Sequence, residues 1–172
     1  RRSQNDRLPS ARGKSKVLSL IAILLTAPML AAQNCPELVG SHDTPGFAVG
    51  VAVSGSYAYV ADEGSGLRVT DVSMHSIPTE VGFYDTPGWA RGVAVEGSYA
   101  YVADEYRGLR IINISNPVEP VEVGFYDMPG SVWNVAVAGN YAYIVGNSGY
   151  PAYDGWLRVV AVTDPTAPTA VG

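Results

Sequence analysis

Past Lys16 the chain contains no lysine, it has a single cysteine at Cys35, and its only histidines are His42 and His75. One cysteine excludes a disulfide within these residues and leaves Cys35 unpaired or bonded to residues beyond them. Two histidines without a cysteine cluster exclude a zinc site of the usual four nitrogen and sulfur ligands. No serine, histidine and acid recur together as a nucleophilic triad would require. Beyond residue 35 no stretch carries the 3.6-residue apolar period of an amphipathic helix.

Positive charge is scarce wherever the chain could fold. Residues 1–16 hold Arg1, Arg2, Arg7, Arg12, Lys14 and Lys16 against Asp6, which leaves five arginines and fifteen acids in 17–172, a net of −10. An acidic body without a basic stripe excludes nucleic acid as a partner, because phosphate needs neutralising. Residues 17–32 form an uncharged apolar run of sixteen, short of the roughly 20 that cross a bilayer. The basic segment followed by this run and by Ala31-Ala32 reads as an n-region and signal peptide over 1–34, with cleavage after Ala31 or Ala32. That reading predicts a secreted, cell-surface or periplasmic protein that meets a membrane only through this segment or through an anchor outside these residues. Ala32-Gln33-Asn34-Cys35 differs from the Leu-Ala-Gly-Cys pattern of a bacterial lipoprotein.

What the chain has in quantity is repetition. Gly40, Gly82 and Gly124 fall at one spacing, as do Pro45, Pro87 and Pro129, and Tyr57, Tyr99 and Tyr141. A period of about 42 residues with four short β-like runs is the range of propeller blades. We place the repeats at about 37–79, 80–121 and 122–169, within a domain of 35–172.

Each repeat starts its hairpins with small alternating residues, Gly50-Val51-Ala52-Val53 and copies, which suit an innermost strand. A two-residue turn, Gly55-Ser56, Gly97-Ser98 or Gly139-Asn140, leads to Tyr-Ala-Tyr, whose alternation puts two tyrosines on one face. A nearly continuous apolar third strand and a Pro-containing link to an outer edge strand follow. The third repeat is longer: Leu157 lies 48 residues past Leu109, although Tyr141 lies 42 past Tyr99. The extra residues fall within 147–156, and insertions in repeats go to loops, often on a binding face.

Tyr99-Ala100-Tyr101-Val102-Ala103-Asp104 followed by Gly108-Leu109-Arg110-Ile111-Ile112-Asn113-Ile114-Ser115-Asn116-Pro117 resembles the LVIVD-repeat family of bacterial secreted and surface propellers. The resemblance spans nearly all of 37–172 and implies an all-β propeller, seen as three consecutive four-stranded blades. It brings no catalytic motif with it. The third copy departs from the pattern with Gly146-Asn147 in place of Asp-Glu. Closed propellers take about 4–8 blades, and Thr169 to Gly172 opens a fourth copy. Three blades are therefore expected to belong to a longer ring, the alternative being association of short chains.

Three sets of residues invite chemistry. Asp62-Glu63 and Asp104-Glu105 precede Arg68 and Arg110, which reads as a loop-closing hydrogen bond or ion pair across each hairpin, with the carboxylates as turn acceptors. Asp43, Asp85 and Asp127 each stand before a Pro-Gly turn, where they serve as turn acceptors or as a ring of carboxylates for Ca²⁺; no calcium-loop spacing accompanies them. Where the copies disagree, just after Pro-Gly, stand Phe47, Trp89 and Ser131, and two residues on Val49, Arg91 and Trp133. Variable aromatic and arginine positions on a constant frame read as tolerant surface or as a binding face, here Phe47, Trp89, Arg91 and Trp133. His42 fills the slot of Tyr84 and Tyr126 as another aromatic ring. The function expected is a non-enzymatic binding scaffold for a protein or carbohydrate, without catalytic residues or cofactor. A propeller enzyme with its catalytic groups in other blades is the alternative.

Overall fold

Twelve strands and no helix make up the described residues, 36–171, of the computed structural model. They belong almost wholly to the second of two compact units, Leu38–Gly172. The segment 1–34 expected to be a signal peptide, and Cys35, lie outside the described residues. Strands β1 (Gly50–Ser54), β2 (Tyr57–Ala61), β3 (Leu67–Asp71) and β4 (Thr79–Tyr84) form one antiparallel sheet in chain order. β5 (Gly92–Glu96), β6 (Tyr99–Ala103), β7 (Leu109–Asn113) and β8 (Val121–Tyr126) form the second. β9 (Ser131–Ala138), β10 (Tyr141–Asn147), β11 (Gly155–Ala161) and β12 (Thr169–Ala170) form the third. The three sheets are propeller-like blades. A period cut at Glu37, Glu80 and Glu122 assigns each outer strand to the following blade, whereas the sheets close at Tyr84 and Tyr126.

Local chemistry explains each hairpin. Ser54 pairs with Tyr57 across Gly55-Ser56, and Gly55 sits at φ 58°, with Gly97 and Gly139 at 59° and 57°. Positive φ at the first central residue gives a turn whose twist matches that of the strands it joins, and only glycine adopts it without strain. The outer strands β4 and β8 follow proline links and carry a bulge opposite Val69/Thr70 and Ile111/Ile112. Part of the third-repeat insertion becomes ladder rather than loop. Gly146 pairs with Trp156 and Asn147 with Gly155, which leaves 148–154 as the loop.

The core lies between blades. Tyr59, Ala61, Leu67 and Val69 of the first blade pack on Val93, Ala100, Val102 and Ile112 of the second. Tyr101, Ala103, Leu109 and Ile111 of the second pack in the same way on Val135, Ala142, Ile144 and Val160 of the third. One tyrosine of the first two Tyr-Ala-Tyr runs, Tyr59 and Tyr101, thus seals against the next blade, and burial pushes both hydroxyls to higher pKa. The joints are close at both edges. A Cβ on Gly92 would meet Asn134 Oδ1 at 2.6 Å at the inner edge, and one on Gly124 would collide with the Pro165 carbonyl at the outer edge. Gly40 lies against His75 as Gly82 lies against Pro117, so the segment around Gly40 holds the place of an outer strand against the first blade.

Candidate functional site

The antiparallel register lines up Gly50, Ala61, Leu67 and Tyr84 in one row. The loops that enter the first strand, link the second to the third and leave the fourth therefore share one end of each blade. Two of these loops are held by a buried carboxylate. The Thr44 hydroxyl donates to Asp62 Oδ1 at 2.6 Å and the Gly46 N–H to Oδ2 at 2.8 Å. Thr86 and Gly88 treat Asp104 in the same way, at 2.6 and 2.9 Å. Burial raises the Asp104 pKa, and the bonds from Thr86 and Gly88 with the Arg110 and Arg107 charges work against that rise. In the third blade Met128 and Gly146 take the places of the threonine and the aspartate, and Met128 with Trp156 joins the apolar core.

The ion pairs differ from those expected across the hairpin. Arg68 reaches outward to Asp85 at 3.1 Å and stacks over Phe83, its cross-strand partner, at 4.6 Å. Arg110 reaches Asp127 at 2.9 Å and stacks over Phe125 at 4.9 Å, with Asp104 farther off at 3.7 Å. Asp85 and Asp127 are thereby tied to the third strands, at the outer half of each sheet, and Asp43 is exposed. Among the described residues no group of three or more His, Cys, Asp or Glu is placed to hold a metal ion.

Glu63 and Glu105 turn the other way. Both have positive φ, 45° and 42°, a conformation that needs an external lock in a residue other than glycine. The lock is a backbone bridge to the next blade, Glu63 to Ala90 and Glu105 to Val132. Their carboxylates then converge on one cation. Arg91 pairs with Glu63 and, at 2.9 Å, with Glu105. Its guanidinium lies 5.1 Å from the Trp89 ring and 5.4 Å from the Trp133 ring.

Arg91 thus touches all three blades: Glu63 from the first, Trp89 and Glu105 from the second, and Trp133 from the third. Of the four variable positions read from the sequence, the structure brings Trp89, Arg91 and Trp133 together. Phe47 stands exposed and joins no cation–π pair among the described residues. Roughly half of the Trp89 surface remains exposed (53 %), as does much of Trp133 (43 %). Beside Trp89 an open cleft of about 660 Å³ is lined by Pro87, Gly88, Trp89, Glu105, Tyr106 and Arg107.

Sequence reasoning passed over Tyr106 and Arg107, although the first repeat carries Gly64-Ser65 in their place. It read a loop-closing hydrogen bond or ion pair at Asp62 and Asp104, but not its donors, Thr44 with Gly46 and Thr86 with Gly88 in the loop before the first strand. The signal was present there, because the third copy changes the threonine and the aspartate together.

The LVIVD repeat model matches three consecutive segments, 45–86, 87–128 and 129–172. No curated protein matches the chain. Among solved structures, the computationally designed Ika4 protein is similar at a TM-score of 0.61 and 9 % identity, over 80 % of this chain and 79 % of that one. The computationally designed Ika8 protein is similar at 0.52 and 8 % identity, over 67 % of this chain and 33 % of that one. These likenesses concern the fold alone.

Proposed function

Because the chain belongs to the LVIVD-repeat family, we propose that it is an exported, non-enzymatic β-propeller scaffold that holds a protein or carbohydrate ligand where Trp89, Arg91 and Trp133 meet. The observation that carries this reading is the seating of Arg91 between two half-exposed indoles, by carboxylates from two different blades. The neutralised guanidinium fixes the spacing of the rings, so a ligand meets rigid aromatic faces at little entropic cost. The basic segment and apolar run of 1–34 support export. The like-for-like packing of blade on blade supports a propeller built from more such units.

The experiment is a panel of oligosaccharides and surface proteins bound to the intact chain and to W89A/W133A. Arg91 is left in place because its removal would strand two carboxylates in a partly buried site. Binding that falls at least about tenfold in the double variant, a loss of about 1.4 kcal/mol, with unchanged circular dichroism, is the expected result. Equal binding by both proteins would overturn the assignment.

A further inference from the structure

The loops between the second and third strands of the first two blades share one backbone. Asp62 N–H donates to the Gly66 carbonyl at 2.9 Å and Asp104 N–H to the Gly108 carbonyl at 2.8 Å. The Ser65 and Arg107 amides close the same turn on the aspartate carbonyls, at 2.9 and 2.8 Å. The glutamates share their positive φ, and Gly66 and Gly108 lie at 72° and 75°. Nothing in this backbone calls for a large side chain at its tip, and the first blade has Gly64 and Ser65 there. The second blade has Tyr106 and Arg107, with Trp89 in place of Phe47 on the adjoining loop. Three large tips therefore appear together in one blade, and all three line the same cleft.

The charges in that cleft are unequally committed. Glu105 is held by Arg91, and Asp104 by Thr86 and Gly88. Arg68, Arg91 and Arg110 have carboxylate partners, and Arg158 stacks on Trp156 at 4.4 Å. Among the described residues Arg107 makes no ion pair and no side-chain hydrogen bond. Its stem is laid across Gly88, where a Cβ would meet Arg107 Cγ at 2.9 Å. The cleft is thus lined by an available guanidinium, an indole and the exposed ring of Tyr106.

Resting on the binding-face reading above, we propose that this cleft takes an acidic saccharide, a sugar chain bearing a uronic acid. Pyranose C–H faces lie against Trp89 and Tyr106, and the sugar carboxylate accepts from the Arg107 guanidinium, which suits planar carboxylates. A volume of about 660 Å³ falls within the roughly 300–1,000 Å³ of small-ligand sites, which favours one or two sugar rings over an extended peptide.

The test titrates the whole 172-residue chain with trigalacturonate, with its neutral methyl ester and with an acidic peptide of Asp and Glu, by calorimetry. Trigalacturonate is expected to bind, and esterification or R107Q each to weaken it by about tenfold or more, as loss of a charge-assisted hydrogen bond does. Circular dichroism of R107Q checks that the exposed substitution leaves the fold intact. Acid and ester binding alike, with R107Q unaffected but W89A/W133A impaired, would overturn the carboxylate assignment and leave the binding-face reading standing. Binding of the acidic peptide alone would overturn the saccharide class. No binding of any of the three would overturn the proposal, and the wider reading would then rest on the W89A/W133A comparison alone.

Discussion

Leu109 and Leu157 hold the same place in the second and third repeats, yet Leu109 is fully buried and Leu157 is 63 % exposed. Tyr101 and Tyr143 differ likewise, at 4 and 38 %, and on the opposite face Val93 and Val51 stand at 8 and 65 %. The strands are alike; their neighbours are not. A blade of this kind is an apolar sheet on both faces, and what makes it a core is the blade beside it. The first blade accordingly shows one bare face (Val51, Val53) and the third shows the other (Tyr143, Val145, Leu157), each the complement of a face that pairs inside the chain.

The comparison is broken most sharply by truncating its two leucines. L109A is expected to cost about 2–5 kcal/mol, as a cavity in a sealed layer does, and L157A within about 0.5 kcal/mol, measured by denaturant unfolding. Equal costs would mean that the outer face of the third blade is covered in solution.

A smaller effect concerns the buried clasp that only the first two blades have. D104A strands the Thr86 hydroxyl and the Gly88 amide and should cost about 2–3 kcal/mol. The pair T86M/D104G, which imports the residues of the third blade, should cost less than the sum of its singles in a double-mutant cycle. Strict additivity would show that the two positions change independently.

The bare faces themselves should make the 172-residue chain associate head to tail, with a sedimentation coefficient that rises with concentration. Y143K at one end should lower that rise while leaving the unfolding free energy within about 0.5 kcal/mol of the parent. A monomer at every concentration would count against this complementarity.

The least of the effects is in pH. Burial raises the folded-state pKa of Asp104 and of Glu122. Between the ordinary carboxylate value and the raised ones the folded chain binds more protons than the unfolded chain, so this contribution is full below that window and is lost as pH rises through it. Asp71 and Asp164, lowered by bonds from Ser73 and Thr166, act in the opposite sense, losing their contribution as pH falls through their lowered values. D104N should flatten the decline on the rising side; an unchanged slope would assign it to other groups.

What could be read from the sequence follows the range of the forces involved. Gly55-Ser56 and Tyr57-Ala58-Tyr59 were legible because turn and strand chemistry act over a few residues. Trp89, Arg91 and Trp133 stood out because three copies of one frame disagreed there. The bracket around Arg91 was hidden. Arg68 lies close to Glu63 in the chain and looked like its partner, but a positive φ at Glu63 and its bridge to Ala90 carry that carboxylate into the next blade. Nothing local marks a glutamate for that conformation. Tyr106 and Arg107 were hidden for a simpler reason, since one contrast with Gly64-Ser65 carries meaning only once both loops are known to share a backbone.

Gly92 and Gly124 sit at the hub and the rim of one joint, and together they set a wedge angle. An alanine at 124 would push the rims apart and widen the wedge, so that fewer blades complete a turn. An alanine at 92 would spread the hubs and narrow it, and a turn would take more. Rotation per unit fixes the curvature of any stacked repeat, and in this chain two hydrogen atoms in place of methyl groups hold it. The angle between blades is then a quantity that single substitutions can tune, and a wrong angle at this joint would misplace the Trp89 and Trp133 rings relative to each other without touching either.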